Sequence, residues 1–126
     1  MNVKIVIKSQ LCEVEKVYQW LEGYLLPLLK NKRLEEILLV MQEIVTNAVI
    51  HGNYNHFNKK VCIYLEVAKN QIILMVEDEG EGIKSLVEAQ NMDYMEENGR
   101  GLKLAVLISD RIELNHNSIR LWFSFT

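Results

Sequence analysis

The chain has 126 residues, 49% apolar and 25% charged, with a formal net charge of −3. That length suits one domain with a real core, and that charge gives no broad attraction to nucleic acid. No apolar run approaches the roughly 20 residues that cross a bilayer. The two cysteines, Cys12 and Cys62, stand in no metal-ligand spacing, so a reduced, cytoplasmic setting without membrane contact is the expectation. The thiols read as small hydrophobes, with a disulfide between them as the alternative.

The opening "MNVKIVIKSQ" alternates as a strand does, with Val3, Ile5 and Ile7 on one face, and it lacks the long apolar core of a signal peptide. Leu11, Val14, Val17, Tyr18, Leu21 and Leu25 then recur at helical spacing, and Pro27 weakens the end of that helix or starts a turn. A second helix follows in "RLEEILLVMQEIVTNAVIHG", with Leu34, Ile37, Leu38, Met41, Ile44, Val45 and Ala48 as its core stripe. Gly52 and Asn53 close it in the manner of a helix C-terminus.

From Lys60 the period becomes two. Val61, Ile63, Leu65 and Val67 alternate with Cys62, Tyr64 and Glu66, and after "AKNQ" comes "IILMVED", apolar on both faces as an interior strand is. Residues 84–98 are polar and acidic with no firm period, which predicts a loop that acts as a lid. A third helix begins near Gly99 or Arg100, and "RIELN" and "SIRLWFSF" form a closing hairpin through "HNS". The order predicts an α+β fold over residues 1–126 as a single domain. Its form is a two-layer α/β sandwich, with a mixed, mainly antiparallel sheet covered by helices on one face. The uncovered face would carry Val6, Cys62, Tyr64 and Trp122, a candidate surface for a homodimer or another partner.

Four-residue spacing stacks side chains on one side of a helix, so Glu43, Asn47 and His51 share a stripe on helix two. His51, at the helix end, reads as a packing or capping residue; His56 and His116 read as surface residues, and Tyr18 and Trp20 as core or interface. The strand "ILMVED" runs into "EGEGI", which places Asp78, Gly80 and Gly82 in a D-x-G-x-G pattern, and Gly99 and Gly101 in "NGRGL" open the third helix. Glycines admit a ligand close to the backbone, and a helix N-terminus offers N–H groups to phosphate.

The order E-x-x-x-N on a helix, D-x-G-x-G after a strand, a loop, then G-x-G-L at a helix start resembles the N box and glycine boxes of the Bergerat-type (GHKL) ATPases. Histidine kinases, type II topoisomerases and mismatch-repair ATPases share this histidine-kinase-like ATPase fold. Within them, the short form with "TNAVIHGN" resembles the bacterial anti-sigma-factor serine kinases, which bind a sigma factor and phosphorylate a serine of a STAS-type anti-anti-sigma protein. The resemblance implies ATP and Mg²⁺ as ligands, with Asn47 holding the metal and Glu43 as general base. It implies that Asp78 accepts from the adenine amine while Gly80, Gly82 and Ile83 shape the base slot. Gly99, Arg100, Gly101 and Leu102 would bring N–H groups to the phosphates, with Arg100 or Lys103 neutralising charge. The first helix departs from the pattern: it offers Lys16 where those kinases commonly present an arginine for docking. Two alternatives stay open: a nucleotide-gated binding module without transfer, and a detached histidine-kinase catalytic domain acting on a histidine of another chain.

Overall fold

The computed structural model describes residues 1–53, 56, 58–80 and 100–125, with backbone alone at 100–102. Strand β1 (Asn2–Lys8) turns Val3, Ile5 and Ile7 inward and Lys4, Val6 and Lys8 outward. A 3-10 turn (Leu11–Glu13) leads into helix α1 (Val14–Leu25), which buries Val14, Val17, Leu21 and Leu25. Leu11, expected in that stripe, is instead 53% exposed. The tighter winding of the turn, about three residues per revolution, rotates it off the helix's apolar side. Pro27 falls in the exposed connection after α1, and helix α2 (Asn31–Asn47) then buries the whole expected stripe from Leu34 to Val45, together with Val40.

Strands β2 (Lys60–Val67) and β3 (Gln71–Glu77) form a hairpin; helix α3 (Arg100–Ile108) and the hairpin of β4 (Arg111–Leu114) and β5 (Ser118–Ser124) complete the described chain. The sheet order is β1-β2-β3-β5-β4. All described pairings are antiparallel, so the parallel component of the expected mixed sheet is missing among these strands. Two of the pairings are hairpins; the first helical excursion returns the chain as β2 antiparallel to β1, and the second returns it as edge strand β4, with β5 then filling the place between β4 and β3. β3 lies between β2 and β5, which accounts for a strand apolar on both faces.

Register builds the core. Leu65 pairs with Leu74, Leu74 with Leu121, and Leu121 with Ile112, one apolar row across four strands. Against such rows pack Leu21 and Leu25 of α1 and Ile37 and Met41 of α2, all fully buried with Phe123. Each such side chain contributes roughly 1.5–3 kcal/mol of apolar burial. Arg33 closes one end: its guanidinium donates to Ser124 O (3.3 Å) and Ile108 O (3.3 Å) and lies 5.5 Å from the centre of the Phe123 ring. A cation there meets the carbonyl end of α3, where the helix dipole favours positive charge.

The other face of the sheet carries Val6, 45% exposed, with Cys62, Tyr64 and Trp122 half-buried, as the alternation predicted. Arg111 stacks on the Trp122 ring at 4.5 Å and Arg120 approaches it at 5.9 Å. A groove of about 480 Å³ runs between Lys4, Tyr64, Glu66, Ile73, Met75 and Arg120.

Candidate functional site

Helix α2 places Glu43, half-buried, one turn before Asn47, which is 6% exposed. The helix does not stop at Asn47. It widens into a turn over Ala48–Gly52, closed by the Asn53 N–H to Ala48 O at 2.9 Å. This five-residue closure is a form found frequently at functional sites. His51 sits half-buried in it. Gly52 therefore does not end the helix by a left-handed residue, as its place before a polar loop suggested. A Cβ on Gly52 would lie 2.5 Å from Asp78 Cγ, so any side chain there would displace the Asp78 carboxylate from the space it occupies.

Asp78 follows β3 directly. Its N–H donates to Asn117 O (2.9 Å) and its carbonyl accepts from Asn117 Nδ2 (2.8 Å), which fastens it to the β4–β5 turn. Its Oδ1 accepts from the Gly80 N–H at 2.8 Å, the short loop an Asx residue makes with its own backbone. Burial pushes the Asp78 carboxyl above the usual carboxylate range; the Gly80 N–H opposes this, the Glu77 charge adds to the rise, and His116 and Lys59 oppose it. A Cβ on Gly80 would fall 2.7 Å from the Gly52 carbonyl carbon. The end of α2 and the loop after β3 thus meet backbone to backbone, which only two glycines permit.

A polar clasp holds that meeting place. Asn53 is fully buried; its amide donates to Ser9 Oγ (2.7 Å) and Lys60 O (3.0 Å), and its Oδ1 accepts from the Glu79 N–H (2.8 Å). The Glu79 carboxylate accepts in turn from the Lys60 N–H, and the Ser9 hydroxyl donates to Lys59 O at 2.8 Å. One buried amide therefore bonds polar groups from three segments.

Of the residues singled out in the sequence, Glu43 and Asn47 share one helix, and Asp78 and Gly80 are packed against its continuation through Gly52. Arg100 opens α3, with Gly101 and Leu102 in its first turn. Gly82, Ile83, Gly99 and the lid expected at residues 84–98 lie outside the described residues. Sequence reasoning missed Ser9, Asn53, Glu79 and Asn117. Asn53 and Glu79 each stand beside a glycine, which reads as a turn, and Ser9 and Asn117 carry no local signal of that kind.

The chemistry of this donor set suits a magnesium nucleotide. Asn47 supplies a hard amide oxygen of the kind Mg²⁺ accepts beside water and phosphate oxygens, Glu43 supplies a carboxylate one helical turn away, and Asp78 supplies a half-buried acceptor. The model of the histidine kinase-like ATPase domain matches residues 7–124, and the chain belongs to that family. Membership of an ATPase domain family implies ATP as the ligand.

Among curated proteins the chain is similar to the anti-sigma F factor of Oceanobacillus iheyensis, 35% identical over 86 residues, which are 64% of this chain and 59% of that protein. It is similar also to the anti-sigma F factor of Shouchella clausii, 37% identical over 78 residues (58% and 53%). That of Clostridium perfringens is 33% identical over 88 residues (66% and 63%). The match thus spans about three fifths of the length of these relatives.

Proposed function

We propose that this chain is a cytoplasmic, ATP-binding anti-sigma factor that transfers the γ-phosphoryl group of ATP to a serine of a STAS-type anti-anti-sigma protein. The observation that carries this reading is the stripe of Glu43 and Asn47 on α2, whose helical continuation packs through Gly52 directly against the Asp78–Gly80 turn. The names of the relatives, all anti-sigma F factors, support the regulatory half of it.

In this reading Asp78 selects adenine by accepting from its exocyclic amine, whereas guanine presents a carbonyl there. Gly80, Gly82 and Ile83 form the base slot, and the N–H groups at Gly99, Arg100, Gly101 and Leu102 face the phosphates. Asn47 holds Mg²⁺, which when bound neutralises phosphate charge. Glu43 takes the serine proton as the Oγ–Pγ bond forms and the bond from Pγ to the β–γ bridging oxygen breaks, releasing ADP.

The test is transfer of labelled γ-phosphate to a purified STAS-type protein encoded beside this chain. Glu43→Ala is expected to lower the rate roughly 10²–10⁴-fold, the range for a lost general base, with ATP affinity retained. Absence of acid-stable label on the acceptor with wild-type protein refutes serine transfer, and acid-labile label points to histidine instead. ATP-dependent capture of a sigma factor without any transfer would favour the binding-module alternative.

We assign the open sheet face to contact with a second copy of the chain. Trp122 is its largest side chain, held between Arg111 and Arg120. Light scattering should then give a dimer for the wild type and a monomer for Trp122→Asp; a wild-type monomer refutes the assignment.

A further inference from the structure

The residue that ties the Asp78 turn to the end of α2 is Asn53, which the sequence offers only as a helix end and as the last residue of "TNAVIHGN". Asp78 packs against α2's continuation at Gly52, and packing alone does not set a direction. Asn117 bonds Asp78 to the β4–β5 turn; from the end of α2 the directional bonds come from Asn53, which is fully buried and bonded to β1's exit at Ser9, β2's first residue at Lys60, and the peptide N–H of Glu79, the residue next to Asp78. A carboxylate that reads one base against another must be held within a fraction of an ångström, and such precision comes from the bonded shell behind it.

We propose that Asn53 is a positioning residue for nucleotide selectivity: through the Glu79 N–H it fixes Asp78 at the distance from α2 that favours adenine over guanine. This rests on the reading that Asp78 recognises the base. An amide is needed because the same side chain must donate to Lys60 O and accept from Glu79 N–H. Alanine does neither and leaves the part-buried Glu79 N–H and Lys60 carbonyl without this partner.

The experiment measures Mg·ATP and Mg·GTP affinity by calorimetry on the full chain for the wild type, Asn53→Ala, Ser9→Ala and Asp78→Asn, with circular dichroism to verify folding. A general loss of structure weakens both nucleotides together, so the ATP-to-GTP ratio is the readout. Asn53→Ala is expected to reduce that ratio about tenfold, the scale of one hydrogen bond's discrimination. Ser9→Ala, the milder change because it removes one of the three partners and keeps the bonds to Lys60 and Glu79, is expected to reduce it about threefold by the same reasoning. If Asp78→Asn loses the preference while Asn53→Ala, or in its absence Ser9→Ala, keeps the wild-type ratio, the proposal is overturned and the adenine reading stands. If Asp78→Asn also keeps the ratio, the adenine reading falls and the proposal falls with it.

Discussion

The two halves of the second helical segment are built on different physics. From Asn31 to Asn47 the backbone follows a regular apolar stripe pressed on the sheet, and almost any hydrophobic residue of similar volume serves there. From Ala48 to Asn53 the same segment widens, loses its Cβ at Gly52 where Asp78 needs room, and ends in a buried amide with three hydrogen bonds. The first half tolerates exchange because burial is non-directional. The second does not, because close approach and hydrogen bonds have fixed geometry.

Substitutions at the contact of the two segments sharpen this contrast. Gly80→Ala should have the largest effect, since its Cβ meets the Gly52 backbone, which has no rotamer to adopt. A loss of about 3 kcal/mol in chemical unfolding, the upper part of the range for overpacking, is expected together with loss of ATP binding. Gly52→Ala meets a side-chain carboxylate that can rotate away, so about 1 kcal/mol is expected, with ATP affinity falling further than stability does. Equal stability losses in the two variants would show that the backbone contact is looser than the geometry requires.

Asp78→Asn should have the smallest effect on stability, and of opposite sign. Burial raises the folded-state pKa of Asp78 above the usual carboxylate range. Its protonated form is therefore the one the fold prefers, and stability is lost as pH rises through the raised pKa. At neutral pH the ionised carboxylate costs stability that the neutral amide does not, and Asn can still accept from the Gly80 N–H. Thermal unfolding should place Asp78→Asn above the wild type at pH 7, with the gain shrinking on acidification and gone below the unfolded pKa. A gain that persists in acid would mean that something other than the buried charge is responsible.

This division also explains what the sequence discloses. Leu34, Ile37, Leu38, Met41, Ile44 and Val45 announce their helix, and Val61, Ile63 and Leu65 their strand, because burial of one face imprints a period on the chain. Leu11 misleads because a single tight turn breaks that period without changing composition. Glu43, Asn47, Asp78 and Gly80 are legible as candidates from their spacing. Asn53 is not: its bonds to Ser9 and Glu79 join residues 44 and 26 positions apart, and a single long-range bond leaves no repeating mark. Gly52 shows in the sequence, but as a helix stop, since nothing local reveals that a carboxylate from another strand fills the space beside it.

Arg33 adds a mechanical asymmetry to the third helix. By gripping the carbonyls of Ile108 and Ser124 it makes the last turn of α3 continuous with the final strand. Nine residues at about 1.5 Å each put the opposite tip, at Arg100, about 13 Å from that grip. Load applied near Arg100 is therefore resisted at a clamp on the other end of the helix, and any tilt of α3 about that clamp sweeps its widest arc at the glycine-bearing tip and its narrowest at the grip.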